Sequence, residues 1–280
     1  MRETDRSNQG ADESSLIILT RDNCALNLRI LRNGQAAETP VLFIHALAMD
    51  GKMWTDVAQE LHVNATVYAL DCRGHGDSDR PNGPYSTKQF ADDVVDVLDH
   101  LEIPSVHLVG CSMGGTVALA FAGWYPDRLA SLCVIDTTAY YGPSAISAWE
   151  ERGQRAMNNG LSDLIGFQLH RWFSNDYITK YPDQIPQAIE VFLKNNPVAY
   201  LESCRMLGNA DERTNLSHYR GPTTIVVGEE DYATPVKMAR EIKDCIKDAK
   251  LVVLPKLRHY TPIEAPKEIA NIIHSLIRAE

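Results

Sequence analysis

The chain has 280 residues, 44% of them hydrophobic and 23% charged, with a formal net charge of −10. That is room and apolar content for one large α/β domain or two ordinary ones. The acidic balance argues against nucleic acid and anionic membranes as partners, and no run of about 18 apolar residues is present to span a bilayer.

The chain opens on "MRETDRSNQGADESS", which lacks the apolar stretch of a secretory signal, and residues 1–14 read as a flexible polar tail. "SLIILT" (15–20) and "ALNLRIL" (25–31), joined by Arg21-Asp22-Asn23, read as an opening hairpin. Further β-rich runs follow at 41–45, 66–71, 106–110, 132–136, 223–228 and 251–255. Continuous Val/Ile/Leu runs of this length suit strands buried on both faces of a parallel sheet.

Helical patterns fall near 52–61, 87–101, 113–125, 235–247 and 266–278. In "STKQFADDVVDVLDHL" apolar residues recur at three- and four-residue steps behind a Ser86 cap. The expected fold is α/β: an eight-stranded, mostly parallel, doubly wound sheet. Residues 142–216 carry no strand signal and read as a helical cap inserted after strand six, between core segments 15–141 and 217–280.

At the end of the 106–110 strand, Gly110-Cys111-Ser112-Met113-Gly114 fits G-x-S-x-G in a strand–turn–helix setting. A serine hydroxyl is a poor nucleophile without a base, and the base needs an orienting acid. In the order that accompanies this motif, "EEDYATP" offers Asp231 after its strand and "KLRHYTP" offers His259 after the next. Glu229, Glu230 and Asp136, which ends strand six, are rival acids. The backbone N–H groups of Met113 and Leu47 are the expected oxyanion hole.

No metal or organic cofactor is needed for such chemistry. The six cysteines form no C-x-x-C pair or His-spaced cluster, which suits a reducing, cytoplasmic setting and leaves metal ligation and disulfides without support. His45, His75 and His107 read as structural.

With "DCRGHGDSDRP" (71–81), similar to the D-x-R-G-x-G-x-S loop that supports the active-site floor, the chain resembles the α/β-hydrolase superfamily across residues 15–278. Within it the chain is most similar to 3-oxoadipate enol-lactonases and related ring-cleavage-pathway hydrolases. The stretches that carry this are "DGKMW", "GPYSTKQFADDVVDVLDHLEI", "GCSMGG", "AWEERGQRAMNNG", "HRWFS" and "CRMLGNADERTNL". His45-Ala46, Tyr260 and Thr261 depart from that pattern at positions that touch the pocket.

The resemblance implies a small-molecule substrate, an ester or lactone with a carboxylated one among the candidates, cleaved through an acyl-enzyme. It leaves no chemistry for Asp71, Arg73 or His75. Four cap arginines are available to grip a carboxylate: Arg152, Arg155, Arg171 and Arg205. Arg152 and Arg171 stand beside Trp149 and Trp172, which read equally as pocket wall or cap core; surface ion pairing is the alternative for the arginines. Carbon–carbon bond hydrolysis of a meta-cleavage product, hydrolysis of a small acidic amide, cofactor-free oxygenation and a ligand receptor with a retained triad are the other readings.

Overall fold

The computed structural model describes residues 14–278. The expected polar tail lies outside these residues except for Ser14, which opens the first strand. Strand β1 (Ser14–Leu19) pairs antiparallel with β2 (Ala25–Arg32), joining Ser14 to Ile30 in register. The turn between them carries Asn23 at φ 61°, a conformation asparagine tolerates better than most residues.

From β2 the sheet passes to β4 (Val67–Leu70), β3 (Val41–Ile44), β5 (Val106–Cys111), β6 (Leu129–Ile135), β7 (Thr223–Gly228) and β8 (Lys250–Leu254), in the order β1-β2-β4-β3-β5-β6-β7-β8. From β4 to β8 every pairing is parallel. All residues of β3, β5 and β7 are buried, because helices cover both faces and leave no side for polar alternation.

The flanking helices are α1 (Thr55–Glu60), α2 (Thr87–His100) and α3 (Met113–Trp124). The helix expected over 52–61 begins instead as a 3-10 turn, Gly51–Trp54, held by Asp50 accepting from the Lys52 amide. The Ser86 side chain caps α2 by accepting from the Gln89 amide, satisfying one of the orphan donors of the first turn.

Between β6 and β7 the chain forms α4 (Ala145–Asn159), α5 (Ile165–Trp172), α6 (Asn175–Lys180), α7 (Ile185–Leu193), α8 (Pro197–Asn209) and α9 (Arg213–Leu216), with no strand among these described residues. An isolated bridge between Tyr140 and Asp211, and the Glu212 amide on the Ala139 carbonyl at 2.9 Å, tie the entry of this segment to its exit. Helices α4 and α8 lie close because Gly153 has no side chain: a Cβ there would stand 2.5 Å from Leu201 Cδ1.

After β7 come α10 (Val236–Cys245), α11 (Thr261–Glu264) and α12 (Pro266–Ile277). The carboxyl ends of β5, β6, β7 and β8 therefore share one edge of the sheet, the edge where open α/β sheets bind ligands, and α4 and α5 line the cavity above it. Among the described residues no helix is long and apolar enough to cross a membrane.

Candidate active site

The turn from β5 into α3 sets Ser112 at φ 54° and ψ −115°, a left-handed conformation that costs a non-glycine residue about 1–3 kcal/mol. Its neighbours make the turn possible. A Cβ on Gly110 would lie 2.2 Å from the Gly114 carbonyl oxygen, and one on Gly114 would lie 2.3 Å from the Ile44 oxygen. The Ser112 amide donates to the Ile135 carbonyl at 2.9 Å, and Thr137 Oγ1 donates to the Ser112 carbonyl at 2.7 Å.

Three loops converge on this hydroxyl. His259, between β8 and α11, places Nε2 2.8 Å from Ser112 Oγ and Nδ1 2.8 Å from Asp231 Oδ2. Because Nδ1 faces a carboxylate it holds the ring proton, and Nε2 is left to accept from the serine. Asp231 is saturated with donors. Oδ1 accepts from the Ala233 and Thr234 amides at 2.7 and 2.9 Å, and Oδ2 also accepts from Thr234 Oγ1 at 2.7 Å. Burial works to raise the Asp231 carboxyl, but the adjacent His259 and the donors of Thr234 outweigh it and hold the group below the usual carboxylate range.

The rival acids face elsewhere. Glu229 accepts from the Lys256 amide, and Glu230 lies 3.7 Å from Arg258. Asp136, just past β6 at φ 48°, turns both oxygens away from the imidazole: Oδ1 accepts from the Gly228 amide at 2.9 Å, and Oδ2 from the Thr261 amide and hydroxyl at 3.1 and 2.7 Å. Complete burial, with the Asp231 charge nearby, pushes the Asp136 carboxyl well above its ordinary value.

Leu47 sits in the turn after β3, where the Met49 amide closes on the Ala46 carbonyl, and Met113 is the first residue of α3. Neither amide donates to a protein acceptor among the described residues. The three histidines read as structural are buried: His45 Nε2 accepts from the Cys72 amide, and burial pushes His75 down to about 3 and His107 to about 4. Asp71 supports the floor by accepting from Arg29, Asn27 and the Gly51 and Asp77 amides.

Ser112 and His259 open into a cavity of about 390 Å³ that Leu47, Trp149, Arg152, Arg171, Trp172 and Tyr260 also line. The four cap arginines divide here. Arg155 pairs with Asp163, and Arg205 with Glu150 and Glu202. Arg152 and Arg171 meet no carboxylate among the described residues. Arg152 Nε donates to the Tyr200 hydroxyl at 2.7 Å, and the Gln168 amide, with its oxygen turned inward, accepts from the same guanidinium. The Arg152 guanidinium lies 4.7 Å from the centre of the Trp149 ring, within cation–π range.

Arg171 lies 4.8 Å from the centre of the Phe167 ring, and its buried Nε has no hydrogen-bond partner among the described residues. Burial and the nearby Arg152 charge both lower its affinity for a proton. Trp172 belongs to wall and core together, stacking on Tyr260 at 5.2 Å. Tyr260 in turn stacks on the His259 ring at 5.7 Å.

Sequence reasoning missed Thr234, Gln168 and Tyr200. A signal existed for Thr234, since a carboxylate followed three residues on by threonine is a common turn pattern. Gln168 and Tyr200 meet Arg152 only through the packing of helices, and no local spacing marks them.

The family described as alpha/beta hydrolase fold matches residues 39–266. The chain is 28% identical over 260 residues to 3-oxoadipate enol-lactonase 2 of Acinetobacter baylyi, covering 93% of this chain and 96% of that protein. It superimposes on the enol-lactonase of Burkholderia xenovorans with a TM-score of 0.86 at 26% identity, over 95% of this chain and 100% of that one. A thermophilic esterase of Thermogutta terrifontis, solved with malate bound, gives 0.86 at 26% identity over 96% of this chain and 99% of its own.

Proposed function

The chain belongs to the alpha/beta hydrolase fold family, and on that footing we propose that it is a serine hydrolase that opens a small carboxylated ester or lactone through an acyl-enzyme. The observation that carries this reading is the unbroken run of contacts from Asp231 through His259 to Ser112, opening into a cavity with two guanidinium groups that meet no carboxylate among the described residues. The enol-lactonase similarity supports the lactone, and the malate held by the Thermogutta esterase supports a small carboxylate in a cavity of this architecture.

His259 Nε2 takes the Ser112 proton as Oγ attacks the carbonyl carbon, and the carbonyl electron pair moves onto oxygen. The Leu47 and Met113 amides face that oxyanion; losing one such donor costs about 100- to 1000-fold in turnover. Collapse of the tetrahedral adduct breaks the bond to the leaving oxygen, which takes the proton back from His259. In a lactone this oxygen stays tethered to the acyl group. His259 then removes a proton from water, which attacks the acyl carbon and releases Ser112. Throughout, Asp231 keeps the Nδ1 proton in place and offsets the imidazolium charge.

Arg152, anchored by Tyr200 and Gln168, grips the substrate carboxylate with two parallel N–H bonds, and Arg171 faces the same anion. The test pairs one variant with one substrate change. Ser112→Ala lowers kcat on a chromogenic ester by a factor of about 10⁴ to 10⁶, and a carboxylated lactone exceeds its methyl ester in kcat/KM by about 10- to 100-fold. Retention of most activity by Ser112→Ala removes the nucleophile, and equal rates on acid and methyl ester remove the carboxylate.

A further inference from the structure

We propose that Asp136 is a positioning residue for the reaction: its side chain fastens the loop that carries the acid to the loop that carries the base. The inference rests on the triad reading above and adds a residue that touches neither substrate nor imidazole. Asp136 Oδ1 accepts from the amide of Gly228, the last residue of β7 and three before Asp231. Its Oδ2 accepts from the amide and hydroxyl of Thr261, two residues after His259.

The backbone on either side completes the fastening. The Ile135 carbonyl holds the Ser112 amide, and Thr137 Oγ1 donates to the Ser112 carbonyl. Ile135 at the end of β6 and the two residues after it thus secure all three loops, adding to the triad contacts, the β7–β8 ladder and the bonds that the Glu229 and Glu230 amides make to the Leu254 and Leu257 carbonyls. Asp136 takes a left-handed backbone, at φ 48°, which aspartate tolerates better than most side chains and which turns its carboxyl across the ends of β7 and β8.

Chemistry favours a neutral carboxyl here. A second anion beside Asp231 in a fully buried site carries a high solvation cost. The two oxygens of Asp136 keep the Gly228 amide and the Thr261 amide and hydroxyl as donors. Among the described residues Asp231 is the one carboxylate that His259 meets. The ionisable groups that face Asp136 are Asp231, on the loop after β7, and the Cys111 thiol, at the end of β5.

The experiment compares Asp136→Ala and Asp136→Asn with the wild type on a carboxylated lactone. Each protein is checked for native circular dichroism, and kcat, KM and the acid limb of the kcat/KM profile are measured. A misplacement of about 1 Å in a reacting constellation costs on the order of 100-fold. The alanine variant is therefore expected to lose about 30- to 100-fold in kcat with KM within about threefold. Asparagine keeps one of the two amide bonds and recovers to within about tenfold of wild type, with its acid limb unmoved.

The proposal is overturned if alanine holds kcat within about threefold, if asparagine is no better than alanine, or if the asparagine acid limb moves, which would assign the effect to charge. Should the alanine variant not fold, Asp136→Asn with Thr261→Val carries the test. Valine removes the hydroxyl bond and keeps the amide, so kcat falls several-fold at unchanged KM; wild-type kcat in both variants overturns the proposal. Ser112→Ala, assayed alongside, separates this outcome from the triad reading, since its loss of turnover stands whichever way position 136 behaves.

Discussion

Arg152 brings a permanent charge against the cavity with a phenol, an amide and an indole face as its only described partners. A guanidinium placed this way is incompletely satisfied, because neutral acceptors return only part of the solvation it gives up. Arg155 on the same helix and Arg205 on α8 do have carboxylates, so the cap is not short of acids; Arg152 is kept apart from them. Replacing Arg152 with Met removes the charge and keeps the bulk. KM for a carboxylated lactone is then expected to rise by about 10- to 100-fold with kcat changed by less than about threefold, while a neutral ester is handled as before. Arg152→Lys does not rescue KM, since a single ammonium cannot span Tyr200, Gln168 and a bidentate carboxylate together. Steady-state kinetics on the acid and its methyl ester decide it, and parallel loss on both substrates would count against the anchor.

Strand β5 shows how an element accommodates a polar side chain. His107 is 4% exposed in the middle of the sheet, with Nδ1 2.9 Å from Ser131 Oγ on β6, and burial pushes it down to about 4. Between that value and about 6.5 the unfolded chain binds a proton that the folded one refuses. Its contribution to stability is complete above about pH 6.5 and is lost as pH falls toward 4. His107→Asn keeps a partner for Ser131 and cannot titrate. The stability difference between wild type and variant in urea unfolding should therefore shift against the wild type from pH 7 to pH 5, by about 1–2 kcal/mol; an unchanged difference would refute the assignment. The same strand explains what could be read in advance. Its apolar run, the glycines at 110 and 114 and the single serine are local and together dictate strand, turn and helix, so the fold and the approach of positions 112, 231 and 259 were legible. Strand ends shifted by a residue or two, and β6 begins at Leu129 rather than 132, because Leu-Ala-Ser lacks the β-branched signature and pairing with β5 recruits it. The partners of Arg152 were not legible: Tyr200 is 48 positions away and arrives only because Gly153 lets α8 approach α4.

At the scale of the whole molecule two fields oppose each other. The chain carries a formal charge of −10, so an anion meets repulsion over the outer surface, while Arg152 and Arg171 attract it only within the cavity. Salt separates the two because screening acts on exposed charges beyond about 10 Å at 0.1 M and hardly on groups enclosed by protein. Raising ionic strength from about 0.01 to 0.15 M therefore weakens the outer repulsion more than the inner attraction. For a carboxylated lactone kcat/KM is expected to rise by about two- to threefold over that range, and for its neutral methyl ester to stay flat. A steep fall for the acid alone would mean that the two guanidinium groups project their field to the mouth and steer the substrate from solution. In the Arg152→Met protein the rise should persist at a lower absolute rate, because the surface charge that repels the anion is untouched while the local attraction has been reduced.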